Sequence, residues 1–192
     1  MRPLPEQMRK KVLAAADLFA EQGLDATKME DVAAATGVPK ATLYYYFEGK
    51  EDILSFLFSE ILEEVEKAIR RAVEGDGDAA DRLTAAIEIH LGVFESLPMA
   101  SRALQFDLGR AARMPQIAER VKSAFVEPVH DLLVEGAGDG SIHELDDPWL
   151  VATAILGAIT TTGINFLTVP SSRKPRNVAR DLVKFVMAGV AA

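Results

Sequence analysis

Residues 23–50 read GLDATKMEDVAAATGVPKATLYYYFEGK, and this stretch decides how the chain begins to fold. Glycine takes the left-handed conformation without a Cβ penalty, so Gly23 is placed to close the amphipathic helix before it. Thr27 and Glu30 stand three apart, the spacing of a capping box, which predicts a helix starting at Thr27. Val32 and Ala33 give that helix its inner side, and Gly37 ends it. Pro39 suits the first position of the next helix, where its missing N–H is not needed. That helix, about 40–46, is too short to be stable alone in water. Packing must hold it, and Leu43 and Phe47 at i and i+4 supply the apolar side. Lys40, Ala41, Thr42, Tyr44 and Tyr45 are left facing outward. Two short helices about a glycine turn, the second bearing small polar groups, a lysine and three tyrosines, suit a helix that lies in a DNA major groove.

From Val12 to Leu54 the chain resembles the DNA-binding domain of the tetracycline-repressor (TetR) family of bacterial regulators. The residues that carry the resemblance run in order: Ala15-Ala16, Leu18-Phe19, Gly23, Thr27, Asp31-Val32-Ala33 and Gly37-Val38, then Thr42-Leu43-Tyr44, Tyr46-Phe47, Lys50 and Ile53-Leu54. Two positions depart from the common pattern: Pro39 stands where a serine or threonine cap is usual, and Tyr46 where histidine is common. The resemblance implies a helix-turn-helix DNA-binding domain over 1–50 and a helical effector-binding and dimerisation domain over 51–192. It also implies roles. Thr27 and Lys28, at a helix start, hold a phosphate. Lys40 donates to guanine O6/N7, Thr42 meets a base edge or a thymine methyl, and Ala41 offers apolar contact. Tyr44, Tyr45 and Tyr46 divide between phosphate and base, and Lys50 takes the DNA backbone.

Composition sets wider bounds. With 192 residues, 49% of them hydrophobic, the chain can fill a core for a small and a larger domain. It has no cysteine, which excludes disulfides and thiolate zinc sites. The N-terminal MRPLPEQMRKK has no apolar run of the secretory kind, so a cytoplasmic location is expected. The net charge of −8 is unusual for a DNA binder, but it is unevenly placed. The first fifty residues balance seven basic against seven acidic groups, so the whole excess lies beyond them. An acidic body suppresses unspecific sticking to DNA while a few placed cations meet phosphates at one face.

Beyond Lys50 the apolar period is helical. Ile53, Leu54, Leu57, Phe58, Ile61, Leu62, Val65 and Ile69 predict one long helix ending at Gly75-Asp76-Gly77. A second spans about 79–96, with Leu83, Ile87, Leu91 and Phe94 inward. Pro98 interrupts, and a shorter helix follows with Leu104, Phe106 and Leu108. Pro115 opens another, in which Pro128 should produce a kink. Residues 136–140 (GAGDG) read as a loop. Asp147 caps a helix from Pro148 to about 169, and the last spans about 177–188. No alternating strand pattern appears. The expectation is an all-α chain of about nine helices, with a three-helix helix-turn-helix domain at its N-terminus.

The segment 148–169 carries no charge and is long enough to cross a bilayer, but its threonines, Asn165 and two glycines, without flanking basic clusters, favour a soluble helix buried on every side. In the resembled family the last two helices of each subunit form a four-helix interface with those of its twin. Gly157 and Ala158 would allow close approach there, with Val178, Leu182, Phe185 and Val186 as the stripe of the final helix. A two-fold assembly sets two recognition helices roughly 34–36 Å apart, one turn of DNA. The family also couples a pocket in the larger domain to DNA release. Polar or aromatic residues set among apolar ones are the candidates: His90, Phe94, Gln105, Phe106, Phe125, Trp149, Thr161, Asn165 and Phe166. With no basic cluster to greet an anion, an apolar or aromatic small molecule is the expected effector.

Catalysis and metal binding find little support. Glu127-x-x-His130 is half of the ligand set of a di-iron bundle, which needs two copies, and Pro128 lies inside it. No Gly-x-Ser-x-Gly elbow is present. The reading is a homodimeric regulator without enzymatic activity, cofactor, metal or membrane anchor. It acts as a repressor on a palindromic operator in double-stranded DNA and is released by a small molecule.

Overall fold

The computed structural model describes residues 3–96, 115–169 and 175–191. It is built from helices α1 (Glu6–Leu13), α2 (Ala15–Ala26), α3 (Met29–Thr36), α4 (Lys40–Tyr46), α5 (Lys50–Val73) and α6 (Ala79–Ser96). After these come α7 (Pro115–Val121), a π-helical turn (Lys122–Val126), α8 (Glu127–Asp139), α9 (Pro148–Thr168) and α10 (Pro175–Val190). Among the described residues the only strand-like pairing is an isolated bridge between Ile142 and Ala191, so the chain is all-α. The expected helix carrying Leu104, Phe106 and Leu108 lies outside the described residues.

Contacts divide the molecule into two units, and the division falls within α5, after Ile61. The first unit holds α1 to α4, the start of α5 and the start of α7, up to Ala118. Ala14 keeps right-handed helical angles, so α2 follows directly on α1. Val12, Ala15 and Phe19 are fully buried there. The positive φ of 75° at Gly23 ends the regular part of α2, as its sequence position requires. Arg9 of α1 pairs with Glu60 of α5.

The start of α3 differs from the expected capping box. Thr27 is buried, and its hydroxyl donates to the Gly23 carbonyl at 2.7 Å. The N-cap is Lys28 instead, whose amide donates to the Asp31 carboxylate at 3.0 Å. The register slides by one residue because the Thr27 hydroxyl takes the Gly23 carbonyl, four residues back, instead of an amide of α3. Glu30 is thereby released from capping. Gly37, at φ 63°, then ends α3 in the left-handed conformation. The Thr36 hydroxyl donates to the Val32 carbonyl and accepts from the Val38 amide, tightening the turn into α4. Pro39 sits at the N-cap of α4, one position earlier than expected.

In the second unit the expected kink at Pro128 takes another form. Proline has no N–H to give to residue i−4, and its ring crowds that carbonyl, here of Ala124. The π-helical turn over Lys122–Val126 lies just before it, with the Glu127 amide reaching five back to the Lys122 carbonyl. Widening the helix there lets α8 continue from α7 with Pro128 in its first turn. The GAGDG segment is likewise no loop: it is the last turn of α8, ended by Gly140 at φ 81°. Packing overrides its poor helix propensity, since buried Gly136 admits Ile142 so closely that a Cβ would meet it at 2.6 Å. Helices α6, α8, α9 and α10 form the core of this unit around Leu83, Ile87, Phe125, Leu132 and Ile159.

Candidate nucleic-acid interface and ligand pocket

The short helix α4 divides cleanly. Leu43 and Phe47 are fully buried, while Lys40, Ala41, Tyr44 and Tyr45 face solvent and Thr42 and Tyr46 are half-buried. The Tyr45 and Tyr46 rings meet edge to face at 4.9 Å. Apolar anchoring on one side therefore presents a row of donors and flat rings on the other, the layout a recognition helix needs.

Three of the expected contact residues are already engaged. Thr27 is turned inward with its hydroxyl committed to Gly23, so its side chain is not available for a phosphate. Lys50 donates from its ammonium to the carbonyls of Asp25 and Thr27, both at 3.0 Å. It ties the start of α5 to the turn between α2 and α3. Lys40 forms an ion pair with Glu30 across the glycine turn and lies 5.8 Å from the Tyr44 ring centroid. The hydrogen bond from Lys40 holds the Glu30 carboxyl below the usual carboxylate range, and the same bond raises the Lys40 ammonium. Sequence spacing gave Glu30 to the cap and missed this pair. Lys28 is exposed beside them at the start of α3.

The pocket candidates separate into groups. His90, Phe94 and Phe125 come together: the imidazole lies parallel to Phe94 at 6.2 Å and edge-on to Phe125 at 4.7 Å. His90 is buried, and its Nδ1 has no hydrogen-bond partner among the described residues. Burial pushes its pKa down to about 4, so the ring is neutral near pH 7. Phe94 and Phe166 line a cavity of about 50 Å³ with Leu91, Gly163, Val178 and Ala179. That is small beside the roughly 300–1,000 Å³ of small-molecule pockets. Gln105 and Phe106 lie outside the described residues.

Thr161 and Asn165 are exposed on the other face of α9, away from the His90 cluster. Trp149 is exposed too, stacked on His130 at 4.2 Å with the Lys122 ammonium 5.7 Å from its ring. At the first turn of α9 it covers the outside of α8, so its ring packs at the edge of the unit.

Helix α9 is long and apolar enough to cross a membrane by length and composition, with 22% of its apolar window buried. It buries one side only, through Ala152, Ile155, Ile159 and Gly163. Gly157 and Phe185 face outward, and Phe185 is 73% exposed. Leu182 and Val186 do not join them. Their side of α10 packs in the chain's own core, with Val178 and Ala158 half-buried. Spacing placed Phe185 in the same stripe, but it lies about 100° from Val186 around the helix.

A helix-turn-helix with an outward-facing second helix, joined to a larger all-α unit, defines a DNA-binding regulator of the one-component kind. The profile "Bacterial regulatory proteins, tetR family" matches residues 12–55. The fatty acid metabolism regulator protein of Bacillus subtilis is 26% identical over 150 residues, 78% of this chain and 77% of that one. The HTH-type transcriptional repressor KstR2 of Rhodococcus jostii is 25% identical over 181 residues, 93% and 88% of the two chains. A solved structure of FadR from Bacillus subtilis with stearoyl-CoA superposes with a TM-score of 0.83 at 22% identity, covering 94% and 98%. Residues 12–55 match the DNA-binding domain of the TetR family, and the chain is a ligand-responsive, DNA-binding transcriptional regulator, not an enzyme.

Proposed function

We propose that the protein is a homodimeric repressor that binds a palindromic operator in the cytoplasm and leaves it when an apolar small molecule enters the larger domain. The observation that carries this reading is the outward face of α4, where Lys40, Ala41, Tyr44 and Tyr45 are exposed and Thr42 is half-buried, opposite the core that Leu43 and Phe47 enter. Lys40 is the base-reading donor, Ala41 and Thr42 meet thymine methyl or base edge, and the tyrosines divide between base and phosphate. Lys28 stands as the phosphate contact at the start of α3.

A two-fold partner is supported by Leu150, Ala154 and Gly157, exposed on an uncharged side of α9, and by exposed Phe185 on α10. The effector reading rests on the buried His90–Phe94–Phe125 cluster, apolar apart from one imidazole. Apolar surroundings of this kind favour an apolar effector, and the names of a fatty acid metabolism regulator and of a structure with stearoyl-CoA support acyl thioesters as first probes.

Selection of bound duplexes from a random pool at moderate salt is the test. Recovery of an inverted repeat, released by added stearoyl-CoA, is the expected outcome. Enrichment of a single half-site, or of nothing, would overturn the dimeric reading, and operator binding indifferent to acyl thioesters of every chain length would overturn the effector class.

A further inference from the structure

Lys40 does not wait with an empty ammonium. Its partner is Glu30, ten residues earlier on the first turn of α3, and both side chains reach solvent on the face that α4 presents. Glu30 is free to do this because Asp31 has taken over the cap of α3. The Tyr44 ring lies 5.8 Å beneath the ammonium, which gives the pair a floor.

We propose that Glu30 is a specificity-determining residue: its carboxylate serves Lys40 as an internal counter-ion, withholds it from the phosphates of unspecific DNA, and releases it at a G·C base pair. An exposed ion pair is weak enough to be exchanged. Exchange for a phosphate replaces one anion by another and strands Glu30 beside a polyanion. Exchange at a G·C pair is different. Guanine O6 and N7 accept from Lys40 while the cytosine N4 amino group donates to Glu30. Both charges then find partners in a single base pair, so the ion pair opens where the sequence is right and stays closed elsewhere.

The inference rests on the DNA-reading role of α4. Its test uses the full-length chain with its selected operator and a scrambled duplex of equal length. Affinity for each is measured against salt, with Glu30→Gln, Lys40→Ala and the double variant compared with wild type and melting curves run alongside. Glu30→Gln frees Lys40 for phosphates: affinity for the scrambled duplex rises, and its slope of log K against log salt steepens by about 0.9, one phosphate. The operator-to-scrambled ratio falls by about tenfold, the scale of one lost base contact. In the Lys40→Ala background the same substitution leaves the slope unchanged. A Glu30→Gln protein with wild-type slope and ratio overturns the proposal, as does a gain that persists without Lys40. Wild-type protein that binds both duplexes alike overturns it together with the DNA-reading role beneath it.

Discussion

The ring of Phe94 packs on the bare Cα of Gly163, so closely that a Cβ at Gly163 would lie 2.5 Å from the ring carbons. Phe94 cannot retreat freely, because it is buried and lies parallel to His90 on α6. Gly163→Ala therefore overpacks the contact between α6 and α9. A destabilisation of about 1–3 kcal/mol is expected, which at this chain length lowers the melting temperature by roughly 2–12 °C. Thermal unfolding of the variant checks this. An unchanged midpoint would mean that the helices part easily and that the Phe94–Gly163 contact does not set their spacing.

Lys50 gives a test of structure against contact. Its ammonium bonds the carbonyls of Asp25 and Thr27, which stiffens the turn on which α3 stands. Lys50→Met should lower stability by about 1 kcal/mol, the scale of a net hydrogen bond. Operator affinity should drop with an unchanged salt slope. Were Lys50 a phosphate contact instead, the slope would flatten by about 0.9. Binding measured across a salt series separates the two.

His90 makes stability depend on pH. Its folded pKa is depressed to about 4 by burial, against 6.5 for the free side chain. The unfolded chain therefore takes up a proton below pH 6.5 while the folded chain stays neutral to about 4, and stability is lost as pH falls through that window. Each pH unit inside it removes at most about 1.4 kcal/mol. Above pH 6.5 both states are neutral and the group contributes no slope. His90→Leu should flatten this part of the profile. At neutral pH it should be no less stable than wild type, because it also removes the unpartnered Nδ1. Denaturant unfolding at a series of pH values measures both effects, and equal slopes for variant and wild type would show that His90 is not the responsible group.

Much of the first unit was legible because its signals are local. Gly23, Gly37 and the Leu43–Phe47 pair each act within a few residues, and each does in the structure what its position implies. Where local choices compete, spacing alone could not decide. Lys28 and Asp31 form the cap that spacing gave to Thr27 and Glu30, Thr27 turns to the Gly23 carbonyl, and Glu30 becomes half of the Lys40 pair. The second unit depended on packing that the spacing of apolar residues does not reveal. Gly157 and Gly163 look alike on α9, yet one faces outward and the other receives a phenyl ring. The GAGDG turn is helical because Ile142 folds back onto Gly136. Thr161 and Asn165 read as pocket residues by composition, and only the orientation of α9 shows them on its outer side.

Phe185 is the residue on which the proposed dimer is tested most directly. It is 73% exposed on α10, while Leu182 and Val186 on the next face are buried in the same chain. The surface of α9 around exposed Gly157 is uncharged, and no atom lies within 4 Å of a Cβ position there. Two copies related by a two-fold axis would bury both features against their own equivalents. Phe185→Asp places a charge in each half of that contact without touching the core that Leu182 and Val186 enter, so the subunit should stay folded and the dimer should come apart. Sedimentation velocity should shift from a dimer to a monomer coefficient with far-ultraviolet circular dichroism unchanged. Operator affinity should fall steeply, because two half-sites are then bound by separate molecules. A variant that remains dimeric would place the interface on another face, and one that is monomeric yet binds the full operator as tightly as before would remove the need for a two-fold at all.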